Sequence, residues 1–318
     1  MSESSMRQRL VHAGTTLLVA LCFTTTAGAQ PPDNGTNDKP DNIGSGAYPA
    51  MKEEVGALPR HVIYRPRDLA ALGTQKLGVV AWGNGGCSDD GASSRFHLLE
   101  LASHRYLVIA NGNIYSGPGA AARPEAAPAQ PGQMVTRTTS TQLIEAIDWA
   151  LAENTRADSP YFGRIDEEQI ALSGFSCGGV QALRHAGDPR VDTLVLMNTG
   201  IFNDAPANPM PEMDITKDAL ATIHTPTIYI LGGESDIAYA NGMDDFQRIN
   251  HVPVAVANLP VGHGGTYHLE NGGSAAQVAV NWLQWQLRGD AAARAWFVGD
   301  ACTLCTDAEW TLESKGLE

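Results

Sequence analysis

Short apolar runs recur along this chain, separated by stretches in which apolar residues fall at helical spacing. The runs are His61–Tyr64, Lys76–Trp82, Tyr106–Ala110, Gln169–Ser173, Val191–Met197, Thr225–Leu231 and Pro253–Leu259. Helical spacing marks Phe96–Ala102, Thr139–Asn154, Val180–His185 and Val278–Leu287. The second of these carries its apolar stripe on Leu143, Ile144, Ile147, Trp149 and Leu151. Continuous rather than alternating apolar runs belong to strands buried on both faces. Strands that alternate with helices predict an α/β fold, here a single domain with a mostly parallel central sheet flanked by helices on both faces. The segment 198–224 is too short for a large cap, so the predicted cleft is open.

The pattern starts at about Tyr48 and runs to the C-terminus, so residues 48–318 are expected to form the domain. Residues 30–47, rich in Pro, Asn, Asp and Gly, read as a disordered linker. Before them, residues 1–29 have the layout of a signal peptide: Arg7 and Arg9, a short apolar core from Thr15 to Phe23, then Ala27-Gly28-Ala29 as cleavage site. The apolar core is too short to span a bilayer comfortably, and no other stretch offers a membrane anchor. Secretion or export to a periplasm is the expectation.

Composition narrows the partners. With 35 acidic against 21 basic residues the 318-residue chain carries a net charge of −14, which argues against nucleic acid or an anionic membrane. Export makes the cysteines matter. Cys87, Cys177, Cys302 and Cys305 remain after cleavage, enough for two disulfides in any of three pairings. Cys302-Thr303-Leu304-Cys305 has the spacing of redox motifs and half a zinc site. Without a second pair or a leading strand, it reads as a local structural disulfide.

In parallel sheets, chemistry sits just beyond the carboxyl ends of the strands. After Gln169–Ser173 comes Gly174-Phe175-Ser176-Cys177-Gly178, then a helical run. Strand, Gly-x-Ser-x-Gly, helix is the context of a nucleophile elbow, whose turn tolerates only small residues two positions from the serine. A glycine-rich turn with an incidental serine would look the same in isolation, so partners decide. A serine nucleophile needs an imidazole to take its proton and a carboxylate to fix the imidazole tautomer, in the order Ser, Asp or Glu, His. Gly232-Gly233-Glu234-Ser235-Asp236 follows one strand and Gly262-His263-Gly264-Gly265 follows the next. Asp236 is the expected acid, with Glu234 the weaker candidate, although an Asp there also serves as a turn former. His263 is the expected base; His251 precedes the last run and belongs at the wrong edge, and His268 is a neighbouring cleft residue. The oxyanion needs two backbone donors. These are expected from Cys177, after the nucleophile, and from Asn84 in Gly83-Asn84-Gly85-Gly86.

Elbow, glycine loop, Asp236 and His263 together resemble the α/β-hydrolase superfamily, covering about Tyr48 to the C-terminus. Ser159–Asp166 before the elbow strand, Thr225-Pro226-Thr227 leading to Asp236, and a terminal helix followed by a cysteine are similar to secreted cutinase-like polyester hydrolases and related lipase-like esterases. The chain departs from them in having Asn84 and Cys177 where an aromatic residue and Met are usual, and Asn198-Thr199-Gly200-Ile201 where a tryptophan is expected. The resemblance implies a secreted serine hydrolase of carboxylic esters, small or polymeric, with no metal or organic cofactor. The same triad serves amides and peptides, and a non-catalytic binding module is the remaining alternative. The fold also places Cys87, in the oxyanion loop, beside the elbow, which implies a Cys87–Cys177 disulfide clamping the oxyanion hole.

Overall fold

The computed structural model describes residues 39–124, 135–204 and 210–318. Nine strands form one sheet: β1 (Ala50–Glu53), β2 (His61–Pro66), β3 (Leu77–Gly83), β4 (Tyr106–Asn111), β5 (Ile165–Phe175), β6 (Thr193–Met197), β7 (Thr227–Leu231), β8 (Val254–Asn258) and β9 (Thr311–Lys315). Their spatial order is β1-β2-β4-β3-β5-β6-β7-β8-β9. The pairings β1–β2, β2–β4 and β8–β9 are antiparallel, and the pairings between β4 and β8 are all parallel. Helices α1 (Arg95–Ser103), α2 (Thr141–Thr155), α3 (Cys177–Arg184), α4 (Tyr239–Arg248) and α5 (Gly273–Arg288) cover the faces, with short α6 (Ala291–Arg294) and α7 (Thr303–Thr306) near the end.

Side chains alternate across a strand, so each buried strand feeds two cores. From β3, Val80 and Trp82 join Leu98 and Leu99 of α1 and Val278 and Trp282 of α5 on one face. On the other face, Val79 and Ala81 of β3 meet Leu143 and Ile147 of α2, Leu183 of α3 and Phe246 of α4. Each fully buried Val, Leu, Ile or Phe side chain here contributes about 1.5–3 kcal/mol. Trp282 is wholly buried, and its indole N–H donates to Thr193 Oγ1 at 2.8 Å, so the ring carries no unmet donor. The α/β architecture is as the apolar runs predict.

Two strands are additions to the sequence expectation. β1 and β9 are mostly half-buried or exposed, and β9 reads Thr-Leu-Glu-Ser-Lys, with no apolar run to announce it. They are edge strands held by backbone pairing to β2 and β8. Lys315 of β9 donates to Asn250 Oδ1 at 3.0 Å and to the carbonyls of Phe246 and Gln247 in α4, tying the edge strand to that helix.

The expected linker over 30–47 lies only partly within the described residues. Residues 30–38 lie outside the described residues, as does the expected signal peptide over 1–29. Residues 39–47 are held against α1 and its surroundings. Asp41 pairs with Lys52 and, at 2.9 Å, with Arg95 Nε. Ser45 donates its N–H and hydroxyl to Glu100 at 2.7 and 2.5 Å, and Gly46 N–H donates to Ser103 Oγ at 2.9 Å. The polar composition that reads as disorder supplies the partners for buried polar groups of α1. Among the described residues, no helix is long and apolar enough to cross a membrane. The disulfides Cys87–Cys177 and Cys302–Cys305 fit an oxidising compartment.

Candidate active site

Strand β5 ends at Phe175 and α3 begins at Cys177, so Ser176 alone makes the turn between them. Its backbone stands at φ 53°, ψ −119°. A non-glycine residue held there costs on the order of 1–3 kcal/mol, which the surroundings must offset. Ser176 N–H donates to Met197 O at 3.0 Å and Ser176 O accepts from Thr199 Oγ1 at 2.7 Å, tying the elbow to the end of β6. The tightness of the turn shows at Gly178: a Cβ there would lie 2.0 Å from the carbonyl of Gly83. Elbow and glycine loop are therefore in backbone contact.

The three residues expected to share the site are brought together. His263 Nε2 lies 3.0 Å from Ser176 Oγ, and His263 Nδ1 lies 2.6 Å from Asp236 Oδ1. These are hydrogen-bond distances in the geometry of a nucleophile, its base and the orienter of that base. Ser176 and His263 are half-buried, open to a substrate on one side, whereas Asp236 is buried. Burial alone would push the Asp236 carboxyl up. Hydrogen bonds from His263, Ala238 N–H, Asn198 Nδ2 and Gly232 N–H more than reverse that and hold it below the ordinary aspartate value. An ionised, fully solvated-by-protein carboxylate follows, facing the imidazole.

In the glycine loop after β3, Asn84 is engaged by its neighbours. Its N–H is directed at Asn111 Oδ1, 3.3 Å away, and its side chain is turned inward. Asn84 Nδ2 donates to Asn111 O at 2.6 Å and Ser88 O at 3.0 Å, while Oδ1 accepts from Trp82 Nε1 at 3.1 Å. Asn111 Nδ2 in turn donates to Gln181 Oε1 at 3.0 Å, and Gln181 Nε2 to Thr138 O at 3.2 Å. This buried chain fixes the loop from below and engages the Asn84 donor. Gly85 opens a short 3₁₀ turn, Gly85–Cys87, and its N–H has no acceptor among the described residues, the usual state of a first helical donor. The same holds for Cys177 N–H at the start of α3.

Cys87 and Cys177 are bonded to each other, with their Cα atoms 5.3 Å apart and 90 residues of chain between them. The thiol of Cys177 is thus not available as a nucleophile. Cys87 O accepts N–H bonds from Arg137 and Thr138 at 2.9 and 3.1 Å, so the loop 111–138, in its described parts, borders the clamp. Met210 and Met213 pack on the disulfide from the β6–β7 connection.

Other candidates fall outside. Glu234 is exposed and makes no hydrogen bond to His263. His251 bonds Ile223 O at 2.8 Å, ahead of β7 and β8 and so at the far edge of the sheet. His268 is half-buried beside Tyr267, their rings 6.4 Å apart, and burial together with Arg95 and Lys39 lowers its pKa. Cys302 and Cys305 close a local loop at α7, away from the triad. Among the described residues, no group of three or more His, Cys, Asp or Glu is placed to hold a metal ion.

Three residues enter that sequence reasoning passed over. Phe175 packs on His263 and Tyr267, with ring centroids 5.1 and 4.6 Å away. Asn198 donates to Asp236, and Tyr267 donates to Asn198. The only sequence signal for Asn198 was its place directly after a strand at the catalytic edge; a lone aromatic such as Tyr267 carried none.

No protein-family model matches the chain. Two curated proteins of Mycobacterium tuberculosis, from strains CDC 1551 and H37Rv, are similar to it, and each is named "Putative phosphoribosyl transferase". Each is 25% identical over 146 residues, which is 46% of this chain and 28% of the relative. The match thus spans less than a third of the relatives' length.

Proposed function

We propose that this protein is a serine hydrolase of carboxylic esters. The observation that carries the reading is His263 standing between Ser176 Oγ and Asp236, at 3.0 and 2.6 Å. In this mechanism Ser176 Oγ attacks the ester carbonyl as His263 Nε2 takes its proton. Asp236, held ionised by its donors, keeps the other imidazole proton on Nδ1 and stabilises the imidazolium that forms. The tetrahedral oxyanion is received by Cys177 N–H and, from the glycine loop, by Gly85 N–H, neither of which has an acceptor among the described residues. Collapse expels the alcohol, protonated by His263, and leaves an acyl-Ser176. Water, deprotonated by His263, then releases the acid. The strained Ser176 backbone keeps Oγ at the tip of the turn throughout.

The short β6–β7 connection supports an open cleft and so bulky or polymeric esters as well as small ones. Export, with cleavage after Ala29, completes the reading; N-terminal sequencing of protein from the medium or periplasm should begin at Gln30. The phosphoribosyl transfer named for the mycobacterial proteins has less support here, because the match covers only 28% of their length and the Ser-His-Asp arrangement suits acyl transfer.

A fluorophosphonate probe tests the function. Covalent labelling mapped to Ser176, abolished in Ser176→Ala and accompanied by turnover of short acyl aryl esters, is the expected result. An unlabelled protein would be a binding module. Faster cleavage of anilides than of matched esters would move the activity to amides.

A further inference from the structure

The acid of the triad is held by a residue that is itself held. Asn198 follows β6 at φ 45°, a left-handed backbone that asparagine tolerates better than most residues. Its Nδ2 donates to Asp236 Oδ2 at 2.8 Å, and its Oδ1 accepts the Tyr267 hydroxyl at 2.5 Å. Both side chains are buried, and the histidine and acid loops enclose them. A Cβ at Gly265 would lie 3.0 Å from Asn198 Oδ1, and one at Gly232 would lie 2.9 Å from Asn198 Nδ2.

The two ends of a carboxamide have nearly the same shape and opposite hydrogen-bonding character. Turned over, Asn198 would aim its oxygen at the Asp236 carboxylate. The Asp236 carboxylate and the Gly262 carbonyl, 3.4 Å from Nδ2, can only accept and so draw Nδ2 to their side, and the Tyr267 O–H donates to Oδ1 and holds that end in place. Two other donors to Asp236, Gly232 N–H and Ala238 N–H, belong to the acid's own loop and move with it. Asn198 is anchored elsewhere. Its neighbours Met197 and Thr199 hold Ser176 N–H and Ser176 O, so the tripeptide 197–199 touches both the nucleophile and the acid.

We propose that Tyr267 and Asn198 are positioning residues: the Tyr267 hydroxyl locks the Asn198 carboxamide, which sets Asp236 at a fixed distance from Ser176 and in line with His263. The inference rests on the hydrolytic reading of Ser176, His263 and Asp236. The titratable groups around the pair are Asp236 and His263 on the loops, His97 of α1 with its ring 5.7 Å from that of Tyr267, and the adjacent His268. Burial holds His97 near pKa 3, so it stays neutral over the working range. When a donor to Asp236 is lost, the carboxylate binds the His263 proton more strongly, and the acid limb of kcat/KM moves to higher pH.

The test compares wild type, Tyr267→Phe, Asn198→Gly and the double variant, measuring ester turnover from pH 5 to 9, the downfield proton resonance of His263 Nδ1–H, and thermal melting. Glycine suits the left-handed backbone of Asn198, and Tyr267→Phe removes a single oxygen, so folded protein is expected from each. Tyr267→Phe should lower kcat roughly tenfold with KM unchanged, as losses of supporting hydrogen bonds do. Its acid limb should rise, its Nδ1–H resonance should shift, and the double variant should be no worse than Asn198→Gly. Wild-type kcat and resonance in Tyr267→Phe, or losses that multiply in the double variant, would overturn the coupling. So would a fall in melting temperature with no change in the acid limb. If wild type failed to react with a fluorophosphonate, the hydrolase reading would fall, while the Nδ1–H resonance would still decide whether Tyr267 acts on Asp236 through Asn198.

Discussion

The two halves of the candidate site are held by different means. On the β3–β5 side, where the proposed oxyanion donors lie, the backbone is pinned by the Cys87–Cys177 bond, by contact of Gly178 with Gly83, and by the buried Asn84–Asn111–Gln181 chain. On the β6–β8 side, Asp236 and His263 sit on loops secured by hydrogen bonds and by the Phe175 ring packed on His263. The tasks explain the contrast. Oxyanion donors act by position, so slack in their placement weakens them. An acid–base pair must pass a proton and carry a changing charge, so its support has to tune ionisation as well as place. A covalent clamp does the first and a set of aimed donors does the second.

That contrast can be broken from either side. The largest effect is expected from Asp236→Asn, which leaves shape intact but removes the charge that fixes the His263 tautomer. A loss in kcat on the order of ten-thousand-fold, measured on a soluble aryl ester, is the expectation. Next comes Cys87→Ser with Cys177→Ser. Opening so long a loop removes roughly 3–5 kcal/mol of stability, read by urea unfolding. If the clamp aligns the donors, kcat should also fall by roughly tenfold to a hundredfold, less than complete loss of one oxyanion donor. Loss of stability with unchanged kcat would make the bond purely structural.

A pH experiment sharpens the other half. The folded Asp236 carboxyl lies below its ordinary value, so its contribution to stability is fully present above the unfolded aspartate pKa of about 3.9 and is lost as pH falls through the folded value. Denaturation curves should show wild type weakening below about pH 4, with Asp236→Asn following a shallower slope there. The smallest effect is expected at the second disulfide. Cys302 and Cys305 are three residues apart, so their bond constrains little of the unfolded chain. Replacing both by serine should leave kcat unchanged and the melting temperature nearly so.

Most of the sheet could be read from the chain because buried parallel strands are apolar throughout. The run Lys76–Trp82 became β3, and Thr225–Leu231 became β7, with boundaries moved by one or two residues. The edge strands were invisible because a half-exposed strand needs only backbone partners, and Thr311–Lys315 has nothing else to show. Residues 39–47 were misjudged for a related reason: polar composition cannot reveal that a buried Glu100 is waiting to accept from Ser45. The positions of Ser176, Asp236 and His263 were legible because each directly follows a strand at one sheet edge. Which N–H groups of the glycine loop are engaged was not legible, because at Asn84 this depends on Asn111, the last residue of a strand neighbouring its own.

The sequence by itself therefore determined the layering of the sheet, the edge at which chemistry collects and the order of the reactive residues, since periodicity and strand-end placement are local properties. Only the tertiary structure decided that the Asn84 N–H is engaged by Asn111, and that Tyr267 donates to Asn198 while Asn198 donates to Asp236. Each of these depends on groups far apart in the chain meeting within hydrogen-bond reach. A pattern of neighbours along one strand carries no record of such meetings.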